Sequence, residues 1–155
     1  MPRKNKRQPK QGTGARLAGY VRVAVPPDEI ADAVYSQWLT FREYIDRHME
    51  SRGWQRGSLN MFIEIAASAA SMNRRALQEM LDRVRAGEFT HVIARNIDTL
   101  TTSAHDFLEI RDLLEKHHTA LVLVEDNFES GDPRSTALNG LMEMFAEFER
   151  SSDVW

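Results

Sequence analysis

The segment Thr119-Ala120-Leu121-Val122-Leu123-Val124 has no polar side chain after its first residue. A short, continuous apolar run of this kind is typical of a strand that is buried on both faces of a parallel sheet. Residues 103–116 before it carry apolar side chains at helical spacing, and residues 89–94 form another short apolar run. The order strand, helix, strand predicts one βαβ unit in this part of the chain.

The same alternation extends in both directions from this unit. We predict an α/β fold with a mostly parallel central sheet of about four to five strands, flanked by helices and ending in a long amphipathic helix. Pro26-Pro27 ends the first strand, and Pro133 opens the last helix. The predicted strands are residues 17–25, 60–65, 89–94 and 119–124, and the predicted helices are residues 30–51, 73–85, 103–116 and 133–150.

The charge is unevenly distributed along the 155 residues, which are enough for one domain. Residues 1–16 hold six of the 20 Lys and Arg residues and no acid, so the remainder carries 14 cations against 23 acids. We therefore predict a flexible basic arm at 1–15 and one acidic domain at 16–155. The arm is the expected non-specific contact to nucleic acid, through Arg3, Lys4, Lys6, Arg7, Lys10 and Arg16.

Several classes of protein are excluded by composition. The absence of cysteine excludes disulfides, a thiolate nucleophile and a cysteine zinc site. The five histidines show no metal-ligand spacing and no glycine-rich phosphate loop follows a strand, so no metal or cofactor is expected. The apolar stretch at 17–25 is interrupted by Arg22, so a cytoplasmic protein with no membrane partner is expected.

The carboxyl ends of the predicted strands are the expected place for a functional site. Arg22 at the end of the first strand and Arg74 at the start of a helix are candidates for binding a phosphate. An ion pair between one of them and Asp98 is the alternative. Ser68, in the small-residue segment after the second strand, weakly resembles the nucleophile of a hydrolase, but it lacks the flanking glycines and ordered acid and histidine partners.

Short motifs at these strand ends and helix starts occur in a fixed order over residues 17–150. They are Tyr20-Val21-Arg22-Val23, Gln37, Gly53-Trp54, Phe62-Ile63-Glu64 followed by Ser68-Ala69, Asn73-Arg74-Arg75-Ala76-Leu77, Ile97-Asp98-Thr99-Leu100-Thr101-Thr102-Ser103, Phe128-Glu129 with Pro133, and Phe145-Ala146-Glu147-Phe148-Glu149-Arg150. The ordered set resembles the catalytic domain of serine recombinases, the resolvase and invertase family. The resemblance implies the family's fold and a context of DNA recombination.

The sequence departs from the family at the positions that carry the chemistry. Members of the family attack a DNA phosphodiester with a serine directly after Arg-Val, and that position is Ala24 here. Two arginines expected after Asp98 are Thr99 and Thr102. The resemblance therefore implies an inactive domain, a pseudoenzyme. It leaves a remnant phosphate pocket of Arg22, Gln37, Ser68, Arg74 and Asp98.

The last predicted helix is the expected contact with a partner subunit. Family members continue into a separate DNA-reading module, which is not expected within this chain. In the family the helix packs against a partner subunit, which implies a homodimer or a hetero-oligomer with an active recombinase. Two alternatives are an active recombinase or DNA nuclease with substitute residues, and a structural interaction module without a DNA role. The helix residues that would meet the partner are Leu138, Leu141, Met142, Phe145 and Phe148.

Overall fold

A computed structural model describes residues 14–65 and 72–131. Within these ranges five strands form one sheet in the order β2-β1-β3-β4-β5, and the first four are parallel. The last strand runs antiparallel to β4. The strands are β1 (Leu17–Val23), β2 (Leu59–Ile65), β3 (His91–Ala94), β4 (Ala120–Leu123) and β5 (Phe128–Glu129).

Helices connect the parallel strands on both faces of the sheet. They are α1 (Ile30–Arg47), α2 (Met49–Arg52), α3 (Arg75–Arg85), α4 (Ile97–Leu100) and α5 (Ala104–Lys116), with 3₁₀ turns at Pro27–Glu29 and Arg56–Ser58. The predicted α/β class with a mostly parallel sheet is confirmed. The expected last helix at 133–150, the loop that holds Ser68, and residues 1–13 of the arm lie outside the described residues.

Several predicted boundaries were wrong by a few residues. The first strand ends at Val23, and Ala24 and Val25 are already exposed in the turn before Pro26. The single helix predicted at 30–51 is interrupted at His48, whose φ of −109° and ψ of 9° are not helical. Two short elements, α4 and β5, were missed because four and two residues are too few to show a period.

The core has two layers because successive residues of a strand point to opposite faces. Tyr20 faces the α3 and α5 side, where it packs with Phe62 and Leu77. The neighbouring Val21 faces α1, where it packs with Phe41. The sheet is therefore buried on both faces, as the apolar sequence of β4 predicts. No described helix is long and apolar enough to cross a membrane.

A cluster of charged and polar side chains connects β5 to the rest of the fold. Arg52 donates from both terminal nitrogens to the Glu129 carboxylate, at 2.9 and 2.7 Å. The Tyr44 hydroxyl donates to the same carboxylate at 3.3 Å. Burial alone would raise the pKa of Glu129, but Arg52 and His91 outweigh it and hold the pKa well below its usual range. Because β5 pairs over only two residues, this cluster adds to the contacts that attach it.

Gly19 in the middle of β1 provides a test of the packing between the sheet and α1. A Cβ added there would lie 2.9 Å from a ring carbon of Phe41 and 3.1 Å from a methyl carbon of Leu59. We expect Gly19→Ala to reduce the free energy of unfolding by about 1–3 kcal/mol, because a buried ring has to move. Gly57→Ala, where nothing lies within 4 Å, is the matched control, and urea denaturation measures both. Equal stability of the two variants would contradict the packing described here.

Candidate active site at the carboxyl edge of the sheet

The two arginines predicted for the site both point to the loop that follows β3. Arg22, near the end of β1, donates from Nε to the carbonyl of Thr99 and from Nη2 to the carbonyl of Asp98, at 3.2 Å each. Arg74, directly before α3, donates from Nη2 to the carbonyl of Leu100 at 2.6 Å. The two guanidinium groups thus converge on three consecutive backbone carbonyls.

Those carbonyls belong to the end of α4. The last carbonyls of a helix receive no hydrogen bond from an N–H group within the helix. The helix dipole also makes that end negative, so cations stabilise it. The other end is also capped. Asn96 Oδ1 accepts from the Thr99 backbone N–H and from the Thr99 hydroxyl, at 3.0 Å each, and Asp126 accepts from the Ile97 N–H at 2.8 Å. A four-residue helix is marginal alone, and here side chains stabilise both of its ends.

Arg74 lies inside the protein. Only 2% of the residue is exposed, and its Nη1 donates to the Tyr20 hydroxyl at 3.0 Å. That hydroxyl in turn donates to Glu64 Oε1 at 3.0 Å. Burial and the adjacent Glu64 raise the pKa of Tyr20 well above its usual range, although Arg74 opposes the shift. The chain Arg74, Tyr20, Glu64 therefore links α3, β1 and β2 through buried polar groups.

Glu64 is a residue of this site that was not among the predicted candidates, although it belongs to the motif Phe62-Ile63-Glu64. Its carboxylate accepts from the backbone N–H groups of Ala76 and Leu77, at 3.1 and 3.0 Å. These are N–H groups of the first turn of α3, which lack partners within the helix. The sequence contained one signal for this role, an acidic residue at the end of a strand that is followed by a helix, since carboxylates favour helix N-termini.

The remaining predicted residues are divided between buried and exposed positions. Gln37 is buried, and its side-chain amide donates to the Arg22 carbonyl at 3.2 Å, so α1 holds the end of β1. Thr99 is also buried, whereas Ala24, Asp98 and Thr102 are exposed. The contact from Arg22 reaches the backbone carbonyl of Asp98. The alternative predicted from the sequence, an ion pair between one of the arginines and Asp98, would involve the Asp98 carboxylate and not this carbonyl.

Carboxylates surround the loop after β3. Burial raises the pKa of Asp126, and the nearby charges of Asp98 and Glu125 raise it further, although the bond from Ile97 lowers it. Arg95 lies 3.8 Å from Glu125. Asp98, Glu125 and Asp126 therefore place three carboxylates at this loop, and Arg95 offsets part of their charge.

Arg16 and Ser103 have structural roles outside this loop. Arg16, grouped with the arm in the sequence, donates from its guanidinium to the Gly87 carbonyl at 2.8 Å at the start of β1. Ser103 accepts from the Asp106 N–H at 3.1 Å and caps α5. Next to it, possible ligand atoms of His105, Asp106 and Glu109 lie within 4.8 Å of one another. His105 and Glu109 are exposed, and such surface clusters arise from ordinary ion pairing.

One known protein family matches this chain over most of its length. The family described as Resolvase, N terminal domain, matches residues 17–152. This chain belongs to the resolvase N-terminal domain family. The resemblance inferred from the motifs is therefore confirmed. No curated protein sequence matches the chain at a significant level.

Two solved structures show the same fold. The N-terminal catalytic domain of TP901-1 integrase superposes with a TM-score of 0.65 at 20% identity, over 88% of this chain and 97% of that one. A resolvase family site-specific recombinase from Streptococcus pneumoniae gives a TM-score of 0.61 at 15% identity, over 88% of each chain. The conserved architecture is thus retained at low sequence identity.

The buried position of Arg74 leads to a prediction about stability. We expect Arg74→Met to reduce the free energy of unfolding by about 2–4 kcal/mol, because it leaves the buried Leu100 carbonyl and Tyr20 hydroxyl without their charged donor. Arg75→Met, at the exposed neighbouring arginine, should change stability by less than about 0.5 kcal/mol. Urea denaturation measures both variants. Equal, small effects would show that Arg74 has no structural role in this domain.

Proposed function

We propose that this chain is a catalytically inactive member of the resolvase family that acts in DNA recombination as a dimerising or regulatory, DNA-associated protein. The observation that carries the proposal is Ala24 at the position of the family's nucleophile. The methyl group of alanine has no oxygen that could attack phosphorus, so no phosphoserine link can form there.

Other residues of the candidate site support the same conclusion. Thr99 and Thr102 supply no positive charge to a pentacoordinate phosphorus, and the loss of one such stabilising contact typically raises a barrier by about 3 kcal/mol. Arg22 and Arg74, the arginines that are retained, donate to the carbonyls at the end of α4. The cations that could bind a phosphate thus already bind the protein's own backbone.

A substitute serine is not favoured by the described residues. Ser103 Oγ is engaged as the cap of α5. In the family-like motifs both Ser103 and Ser68 match positions that carry serine in addition to the nucleophile. An active recombinase or nuclease therefore has no oxygen nucleophile that the motifs assign to it. Oligomerisation, a regulatory partnership and DNA association are the roles that do not need one.

Cleavage of supercoiled plasmid, with trapping of a covalent protein–DNA adduct, tests the inactive assignment. We expect no nicked or linear product and no adduct above the level of a heat-denatured control. The variant Ala24→Ser with Thr99→Arg and Thr102→Arg should give a trace of adduct at most. Position 99 is 3% exposed, so the side chains around α4 have to move before an arginine can occupy it. An adduct formed by the natural sequence would refute the proposal.

The basic arm is the DNA contact in this proposal. Arg3, Lys4, Lys6, Arg7 and Lys10 precede the described residues, while the Arg16 guanidinium binds the Gly87 carbonyl. If all five cations contact phosphates, log K for DNA should fall with log salt with a slope steeper by about 4–5 than without them.

Replacement of the five arm cations by Gln should therefore weaken binding to duplex DNA and flatten its salt dependence. A variant with Arg3→Lys and Arg7→Lys keeps the charge and should behave as the natural protein. Fluorescence anisotropy at several salt concentrations measures both. An unchanged slope after neutralisation would exclude the arm as the DNA contact.

A further inference from the structure

The two edges of the sheet differ in how far they are protected from further pairing. At one edge, β5 is only two residues long and is covered by the side chains of Tyr44 and Arg52 on Glu129. At the other edge, β2 pairs with β1 over all seven of its residues. Within the described residues no strand pairs with the outer side of β2. Alternate N–H and C=O groups of β2 therefore point outward and can accept a further strand.

The sequence of β2 has none of the features that usually keep edge strands from pairing. Such strands are commonly very short, carry Lys or Pro, or are interrupted by a bulge. β2 reads Leu-Asn-Met-Phe-Ile-Glu-Ile, and its register with β1 advances one residue at a time. Its single charged residue, Glu64, points inward to the N–H groups of Ala76 and Leu77. This edge is thus long, regular and without a charge that faces solvent.

Apolar side chains lie along the α1 face of this edge. Ile63 is 41% exposed and Ile65 is 52% exposed. With Met61 they line an apolar groove of about 490 Å³ whose other wall is α1, where Tyr35 is 57% exposed. Contiguous exposed apolar surface with aromatic residues is typical of a protein interaction site. A strand added to this edge should therefore present apolar side chains to the α1 face.

A second copy of β2 has the matching pattern. Two antiparallel β2 strands can be related by a two-fold axis that passes beside Phe62. Leu59 of one copy then lies opposite Ile65 of the other, and Met61 lies opposite Ile63. Every pair on the α1 face joins two apolar side chains, and such cross-strand pairs stabilise a sheet. All seven residues of each strand are paired in this register.

The other face of β2 favours the same register. Phe62 meets the Phe62 ring of the second copy, and Asn60 lies opposite Glu64, so its amide can donate to a carboxylate. An axis beside Ile63 would instead place Phe62 opposite Glu64, an apolar ring against a carboxylate. An axis beside Met61 would place Phe62 opposite Asn60. The register centred on Phe62 is therefore the most complementary of the three.

The helix on that face is placed so that a second copy fits. α3 packs against β2 and β1. If its axis lies midway between these strands, which are about 4.8 Å apart, the α3 helices of the two copies lie about 10 Å apart, a usual distance between packed helices. Arg75, Glu79 and Arg83 line the pocket between α3 and β2. Because cations and an acid alternate there, Glu79 of one copy can approach an arginine of the antiparallel helix in the other.

We propose that the outer edges of β2 in two copies of this chain pair antiparallel around a two-fold axis beside Phe62, so that their two sheets become one continuous sheet. The inference rests on the dimerising role in the proposed function and gives that role a surface separate from the last predicted helix. The contact uses the same edge of both copies, so it closes on itself and adds one partner only.

Disulfide formation between two singly substituted proteins tests the register, since the chain has no cysteine of its own. Met61→Cys and Ile63→Cys proteins are mixed under reducing conditions and then oxidised. Directly opposite residues are close enough for a disulfide, whereas two copies of position 61, or of position 63, lie diagonally at about 7–8 Å. We expect a disulfide-linked heterodimer in excess of both homodimers. Leu108→Cys, at a residue that is 43% exposed on α5, replaces Met61→Cys in the control and should give none. No heterodimer above this control, or homodimers in excess of it, would overturn the proposal.

Sedimentation equilibrium separates this inference from the proposed function. Ile63→Lys adds the charge that protected edge strands commonly carry, and it should raise the dissociation constant of self-association by at least about tenfold. Leu108→Lys should leave that constant unchanged, and thermal denaturation checks that both variants fold. Unchanged self-association of the Ile63→Lys protein would refute the β2 surface and leave the dimerising role intact. A natural protein that stays monomeric would refute both.

Discussion

Two guanidinium groups hold together the part of the domain where the functional site is expected. Arg22 reaches from β1 and Arg74 from the start of α3, and both donate to consecutive carbonyls at the end of α4. The four-residue helix depends on these donors, because its own hydrogen bonds are too few to keep it folded. The loop after β3 therefore keeps its shape through the same side chains that would be needed to bind a phosphate.

The residue at the nucleophile position and the buried arginine contribute differently to the stability of the fold. Ala24 is exposed, so a substitution at this position breaks no buried hydrogen bond and has little effect on stability. Arg74 is buried with Tyr20 and Glu64, and its loss would leave polar groups without partners. The fold therefore tolerates different residues at position 24, whereas the buried Arg74 is under a structural constraint.

The main architecture could be predicted because it depends on hydrophobic patterns that are visible in the sequence. The apolar run of β4 and the alternation of strands and helices follow from burial on both faces of a parallel sheet. The short helix α4 could not be predicted in this way. Its existence depends on caps from Asn96, Asp126 and two arginines distant in sequence, and no local period reveals such contacts.

The candidate site was also only partly visible in the sequence. The motifs placed Arg22, Arg74 and Asp98 near one another, but not the orientation of the guanidinium groups. Glu64 was overlooked although an acidic residue at a strand end before a helix was an available signal, because only the structure shows its carboxylate accepting from two N–H groups of α3. Arg16 was grouped with the arm because charge composition does not show that a side chain reaches the carbonyl of Gly87.

Arg22 and Arg74 donate to the protein's own backbone, and in the proposed function neither of them binds DNA. Nuclear magnetic resonance of ¹⁵N-labelled arginine side chains, recorded while a short DNA duplex is added, tests it most directly. We expect the Arg22 and Arg74 side-chain signals to keep their shifts at saturation, with Arg74 protected from solvent exchange. Saturable shifts at both arginines on adding DNA would contradict it.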